Sequence, residues 1–315
     1  MKKNMSVVIP VYNSQETIEE VVRRVIASVD KIVDLYLKEV ILVNDCSTDS
    51  VLAICRTLSK NIDRVIVLDL SRNFGQHNAL MAGFSKATGD YIIALDDDLQ
   101  TLPEEIYKLY NKLLNTKSDI VFAKYPEKEQ NFFRRYGSSI NERMARWLVK
   151  QPVDIEVTSF YIMKRFLMEE MLKYKNAYPY IAGLVFRITR NVSNIEVEHA
   201  ARKSGKSNYN LGKLVKLWLN GFTGFSVKPL RICTFTGIFS FSFGILAILL
   251  LIIQKIVRPD MELGWTSTIV SIIFFGSIQL ISIGILGEYI GRTFLSINNA
   301  PQYVIKNEFG NEDED

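Results

Sequence analysis

Cysteine and histidine are scarce in this 315-residue chain, with three of the first and two of the second. Cys46, Cys55 and Cys233 fit no metal-ligand spacing, and their odd number argues for free thiols rather than a disulfide framework. His77 and His199 leave little from which to build a zinc centre or a histidine-based triad, so the usual hydrolase designs are excluded. Neither a Gly-x-Gly-x-x-Gly run nor a Gly-x-x-x-x-Gly-Lys run stands at any strand end, which counts against dinucleotide and P-loop enzymes.

Charge is missing from two long stretches. Ile232 to Ile253 gives 22 uncharged residues and Gly264 to Gly287 another 24, each enough to cross a hydrocarbon layer that needs ~20. The short segment Gln254 to Leu263 between them predicts a tight hairpin with both flanks on one side. Of the formal net charge of +4, residues after Gly287 carry −4, so +8 lies on residues 1–231. Lys213, Lys216, Lys228 and Arg231 precede the first apolar stretch, and the positive-inside rule then puts the N-terminal region in the cytoplasm. Met1-Lys2-Lys3 leads straight into a strand pattern, so no leader peptide is expected. The acidic end, Glu312 to Asp315, reads as a solvated tail.

In the first 230 residues short apolar runs alternate with amphipathic ones. Strands are predicted at Ser6–Val11, Glu39–Asn44, Arg64–Leu70, Tyr91–Leu95 and Asp119–Ala123, with helices near Glu16–Ser28, Asp49–Ser59, Gln76–Ala87 and Pro103–Asn115. This rhythm predicts an α/β domain with a mainly parallel sheet, whose ligands bind beyond the carboxyl ends of the strands. The polar clusters fall there: Pro10 to Asn13, Asn44 to Asp49, Ser71 to Gln76, and Asp96-Asp97-Asp98. Alone, an acidic triplet is most often a solvated turn, and Ser47 or Asp49 could simply cap a helix. Yet Asp96 and Asp98, at i and i+2, can point the same way and share one hard divalent ion while a diphosphate supplies further oxygens. A sugar nucleotide is the natural ligand for such a site.

Together these motifs resemble the family 2 glycosyltransferases of GT-A fold. The narrower likeness is to the polyprenyl-phosphate glycosyltransferases of the dolichyl-phosphate mannose synthase and GtrB/ArnC type. Val8-Ile9-Pro10-Val11-Tyr12-Asn13 resembles the family's opening nucleotide-binding strand, and Val43-Asn44-Asp45-Cys46-Ser47-Thr48-Asp49 its acidic turn. Ser71 to Gly83 is similar to a segment of the lipid-phosphate branch, Asp96-Asp97-Asp98-Leu99-Gln100 to its Asp-x-Asp-Leu-Gln, and Arg202 to Tyr209 to its Arg-x-x-Gly-x-Ser-x-Tyr. Two departures stand out. Thr101-Leu102-Pro103-Glu104 replaces the usual Asp-Pro-Pro-Glu, and Ser159-Phe160-Tyr161 replaces Ser-Phe-Arg, which removes an arginine contact to phosphate.

The resemblance implies a metal-dependent, inverting transfer of one sugar from a nucleotide donor, by analogy a UDP-sugar, to undecaprenyl or another polyprenyl phosphate. Pro10, Tyr12, Asp45, Asn73, Gln76, Asp96, Asp97 and Gln100 would then bind the donor nucleotide, with Asp45 at the base or ribose. Asp96 and Asp98 would hold Mg²⁺ or Mn²⁺, with Asp98 also counted catalytic, and Arg202, Lys206 and Ser207 would meet the acceptor phosphate. The family's further acid corresponds to Asp154 or Glu156, and Asp154 is preferred. An anionic acceptor needs no strong base, so that acid would orient rather than deprotonate.

The implied organisation is a cytoplasmic GT-A catalytic domain (1–209), an amphipathic interfacial helix region (210–228), a transmembrane hairpin (229–290) and an acidic tail (291–315). Leu211, Leu214, Val215, Trp218, Leu219 and Phe222, interspersed with Lys213 and Lys216, give the interfacial segment its pattern. The partners expected are the donor, the lipid acceptor and the bilayer of the cytoplasmic membrane, with homo-oligomerisation by resemblance and no nucleic acid. A processive polysaccharide synthase, a diacylglycerol glycosyltransferase and a non-catalytic nucleotide-sugar-binding scaffold are the rival readings. Against the synthase, the chain lacks its Gln-x-x-Arg-Trp motif, with Arg143 standing at the glutamine position before Arg146-Trp147.

Overall fold

The computed structural model describes residues 2–125, 152, 154–198, 228–257, 264–298 and 300–310. Elements follow in the order β1 (Lys3–Val11), α1 (Ile18–Asp30), β2 (Leu35–Asn44), α2 (Val51–Asn61), β3 (Val65–Leu70), α3 (Gln76–Lys86) and β4 (Tyr91–Ala94). A 3₁₀ turn (Pro103–Glu105), α4 (Ile106–Thr116), β5 (Ile120–Lys124), β6 (Tyr161–Lys164), α5 (Arg165–Leu172), α6 (Ile181–Ile188) and β7 (Val192–Glu196) come next. Two long helices, α7 (Lys228–Val257) and α8 (Trp265–Ile297), precede a last strand, β8 (Ile305–Phe309).

One sheet runs β7-β5-β6-β4-β1-β2-β3-β8. Strands β3, β2, β1 and β4 are parallel neighbours, β6 runs antiparallel to β4 and β5, β7 is parallel to β5, and β8 is antiparallel to β3. Strand residues alternate between two cores, as a period of two requires. Val7, Ile9, Val11 and Leu42 join the core under α1, α2 and α4, whereas Val8, Ile41 and Val43 join the one under α3, α5 and α6. Helix α1 forms because Val21, Val22, Val25 and Val29 make one buried stripe, while Glu19 and Glu20 favour its positive N-terminal end. Arg24 ties α1 to the 3₁₀ turn through a two-pronged bond to Glu104 (2.8 and 2.6 Å).

The five expected strands and four expected helices all form. The tail expected over 291–315 differs, because α8 extends to Ile297 and residues 305–309 make a sheet strand. Its alternation Ile-Lys-Asn-Glu-Phe suits an edge position, and it is pinned by Lys86 on Glu308 (2.6 Å) and by Arg56 over the Phe309 ring (4.2 Å). The interfacial segment 210–227 lies outside the described residues.

Helix α3 presses on the sheet at Gly83, where an added Cβ would collide with Val8 Cγ1 and meet Val43 Cγ2 at 3.1 Å. Gly83→Ala should therefore overpack this face by about 1–3 kcal/mol. A thermal melt of the full chain in detergent should show Tm lowered by several degrees, and Val8→Ala should relieve part of the loss.

Candidate functional site

The strand order reverses at β1: successive crossovers lead from β1 to β2 and β3, and the next returns to β4 on the other side. A crevice opens at such a reversal beyond the carboxyl ends of β1 and β4. Pro10 helps open it. Val8 still accepts the Leu95 amide (3.3 Å), but Pro10, two residues on and facing the same neighbour, has no N–H to offer, and β4 has ended at Ala94.

The acidic triplet forms the turn after β4. Asp96 Oδ1 accepts from Gln76 Nε2 (2.8 Å) and its Oδ2 from the Ser159 hydroxyl. Asp97 turns to the β1 end, where its Oδ2 accepts the Tyr12 amide (3.0 Å) and its carbonyl accepts the Thr17 hydroxyl. Asp98 Oδ1 accepts the Gln100 amide (3.0 Å), closing a tight turn. Leu99 completes it at φ 59°, a left-handed conformation that is costly for a branched residue, and Asn13 and Cys46 adopt the same region at the ends of β1 and β2. Burial, with the charges of Asp98 and Asp97 adding to it, pushes the Asp96 carboxyl up to about 6 against the opposing pull of its hydrogen bonds. Burial also raises Asp97.

The neighbouring loops are cross-tied to this turn. Asp45, at the end of β2, is buried, and its two carboxylate oxygens accept the Phe74 and Gly75 amides (2.7 and 2.8 Å), while Asn73 Nδ2 donates to its carbonyl (3.2 Å). Asn13 and Ser47, Asn13 and Thr48, and Gln15 and Asp49 lock the β1 loop to the β2 turn. The structure thus brings Pro10, Tyr12, Asp45, Asn73, Gln76, Asp96, Asp97, Asp98 and Gln100 together. Through these bonds Asp45 clamps two strand-end loops, each of its carboxylate oxygens accepting one backbone amide.

A family profile for glycosyl transferase family 2 matches residues 6–191, and one for the GtrB C-terminal hairpin matches residues 228–293. The chain is a family 2 glycosyltransferase. It is 33% identical over 311 residues to an undecaprenyl-phosphate 4-deoxy-4-formamido-L-arabinose transferase of Serratia proteamaculans, covering 98% of this chain and 94% of that one. It is also 33% identical over 309 residues to an SfII prophage-derived bactoprenol glucosyl transferase of Shigella flexneri, covering 96% and 97%. A solved Mycobacterium tuberculosis glucosyl-3-phosphoglycerate synthase, in complex with Mn²⁺, UDP-glucose and phosphoglyceric acid, superposes with a TM-score of 0.51 at 19% identity, over 70% of this chain and 78% of that one. That likeness establishes the fold, GT-A.

Within this glycosyltransferase the two alternatives for the further acid separate. Asp154 is exposed, whereas Glu156 is half-buried and held through its backbone by Asn194 (2.8 and 2.7 Å). Burial raises the Tyr125 phenol, and Asp96, Asp98 and Glu156 all add to that rise, so these three carboxylates share one neighbourhood. Tyr161 is buried edge-on against Phe122, and burial, with the Asp96 charge adding to it, raises its phenol. His77 packs edge-on against Tyr180, and burial pushes its imidazole down to about 4, so it stays neutral near pH 7. Arg202, Lys206 and Ser207 lie outside the described residues. Ser159, Thr17 and Tyr125 escaped the sequence reading. Ser159 carries a visible signal, its place in the segment Ser159-Phe160-Tyr161 that departs from the family.

Asp45→Asn would set an amide N–H₂ against two backbone donors and leave one of them unsatisfied, a penalty of about 1–3 kcal/mol. Hydrogen exchange at Phe74 and Gly75 should accelerate correspondingly, and nucleotide binding should weaken with it.

Proposed function

We propose that this glycosyltransferase moves a single sugar from a nucleotide-sugar to polyprenyl phosphate at a membrane surface. The observation that carries the reading is the direction of two strands. β5 is antiparallel to β6, and β6 to β4, so β5 runs with the parallel strands and β7 with it. The chain therefore leaves β7 toward α7 at the end of the sheet where the acidic turn lies. β8, antiparallel to β3, begins with Ile305 beside Leu70 at that same end. Both connections to the helical hairpin thus attach on the donor-site side, as an acceptor confined to a bilayer requires.

The hairpin helices fit a bilayer. α8 contains an apolar window, Phe274–Gly291, long enough to span one, and Phe235, Phe239, Leu280 and Ile297 stand exposed along the two helices. Two spans with both flanks on the catalytic side agree with the return of β8 to the sheet. The relatives named above, an undecaprenyl-phosphate and a bactoprenol transferase, support the acceptor class.

Among the described residues no three His, Cys, Asp or Glu side chains form a closed metal cage. Asp96 and Asp98 still fit Mg²⁺ or Mn²⁺, since such ions are commonly held by one or two carboxylates with substrate phosphates supplying the remaining oxygens. Burial is the main reason the Asp96 carboxyl is raised, with the Asp98 and Asp97 charges adding to it, and a cation there would offset both. Bound there, the ion would neutralise charge on the departing diphosphate. Tyr12, Asn73, Gln76 and Gln100 border the donor crevice. An oxygen of the acceptor phosphate attacks the anomeric carbon as the bond to the donor's β-phosphate oxygen breaks, releasing the nucleoside diphosphate with inversion. Glu156 or Asp154 orients the acceptor, and Glu156 has the better surroundings.

Full-length enzyme given undecaprenyl phosphate, a panel of nucleotide-sugars and Mg²⁺ or Mn²⁺ should yield one sugar per lipid phosphate by mass spectrometry. A polymer or a diacylglycerol glycoside would overturn the acceptor assignment. Asp98→Asn should lower the rate on the order of 10²-fold or more, and excess EDTA should abolish it.

The pKa of Asp96 gives a second check. A carboxyl raised in the folded state holds its proton more tightly than in the unfolded chain, so charging it costs stability as pH rises from its ordinary value toward about 6. A bound cation removes that cost. Mn²⁺ should therefore raise Tm more at about pH 7.5 than at about pH 5, and Asp98→Asn should blunt the gain.

A further inference from the structure

Asn44, Asp69 and Asn307 are register partners in one row across β2, β3 and β8. Asp69 is a carboxylate buried inside the sheet, 6% exposed, and it is satisfied from both sides: Asn44 Nδ2 donates to its Oδ1 (2.7 Å) and Asn307 Nδ2 to its Oδ2 (3.3 Å). A buried carboxylate that loses a donor keeps the full cost of its lost hydration.

The first of these bonds also fixes which way the Asn44 amide points. With Nδ2 committed to Asp69, Asn44 Oδ1 faces the other way and accepts the Ser47 amide (3.2 Å). That bond shapes the turn through Asp45 and the left-handed Cys46. Asp45 in turn holds the Phe74 and Gly75 amides next to Gln76, which donates to Asp96. On the other side, the Ser71 amide donates to Val304 (2.9 Å), just ahead of β8. The last strand is thus joined to the donor crevice by a series of hydrogen bonds linked through the short backbone stretches 45–47 and 74–76.

We infer that Asn307 is a positioning residue for donor binding, acting through Asp69 and Asn44 on the turn that carries Asp45. Because β8 follows the helical hairpin in the chain, the nucleotide site is fully organised only when the returning strand is docked. This rests on the function proposed above for its donor class.

The test uses the full chain in nanodiscs, with UDP titration alongside steady-state kinetics. Asn307→Ala should weaken UDP binding and raise the donor KM by about 3- to 10-fold, with the polyprenyl-phosphate KM within about twofold. Asn307→Asp should do more, since it sets a second carboxylate against Asp69. The swap Asp69→Asn with Asn307→Asp keeps one carboxylate and both hydrogen bonds. The asparagine at 69 accepts from Asn44 through its oxygen and donates through its amide to the aspartate at 307, so donor affinity should return to within about threefold of the parent.

Hydrogen exchange at Ser71 to Gly75 should follow the same order. Equal changes in both KM values, a lowered Tm with unchanged donor affinity, or a swap that fails to rescue UDP binding would each overturn the inference. If the parent enzyme makes no lipid-linked sugar, the acceptor assignment falls, while the UDP titration and the exchange rates still decide the role of Asn307.

Discussion

Buried and half-buried carboxylates at the carboxyl ends of adjacent strands must each be satisfied by hydrogen bonds, and here the donors come from a neighbouring strand or loop. Asp45 takes the amides after β3, Asp69 takes side chains from β2 and β8, Asp96 takes donors from α3 and from the residues before β6, and Asp97 takes the amide after β1. No loop can move without leaving some carboxylate short of a donor, at a cost of about 1–3 kcal/mol or more for a charged group. The crevice owes its shape to this mutual dependence, which also holds Asn13, Cys46 and Leu99 in left-handed conformations.

The same concentration of negative charge decides what the crevice can bind. Satisfying a carboxylate with neutral donors lowers the cost of its charge without cancelling it, as the elevated Asp96 pKa records. A nucleoside diphosphate brings further negative charge. In the function proposed, a cation would make the two compatible, and a small hard ion would suit the oxygen-only donor set.

Much of the first 125 residues was legible in the sequence. Every expected strand and helix there forms, and the polar clusters at the strand ends converge because parallel strands with crossover helices leave them no other place. What escaped was the part carried by side chains rather than by pattern. Asp45 looks like a ligand residue in sequence, and nothing in the pattern shows that it also ties the loop after β3 through the Phe74 and Gly75 amides. Ser159 sits in a segment without clear periodicity, so nothing in its spacing points back to Asp96, and the same lack of pattern left Asp154 preferred over the half-buried Glu156. β8 was missed for a related reason: five residues with two charges, followed by an acidic run, read as solvent-exposed tail, and their pairing partner lies more than 200 positions earlier.

The direction of β8 bears directly on how a soluble donor meets a lipid acceptor. An extra strand could cover the β3 edge in either direction, and edge protection alone would not choose between them. A parallel strand would have to start at the end of the sheet remote from the donor crevice, drawing the hairpin toward that end. The antiparallel one starts beside Leu70. Eight residue steps separate the last residue of α8, Ile297, from Ile305, and a fully extended chain of that length reaches about 30 Å. The end of α8 is therefore confined within that radius of the carboxyl end of β3, which leads through a short loop to Gln76 at the start of α3. The edge strand thus also acts as a tether of fixed maximum length, holding the donor crevice within reach of the surface where a polyprenyl phosphate would present its head group.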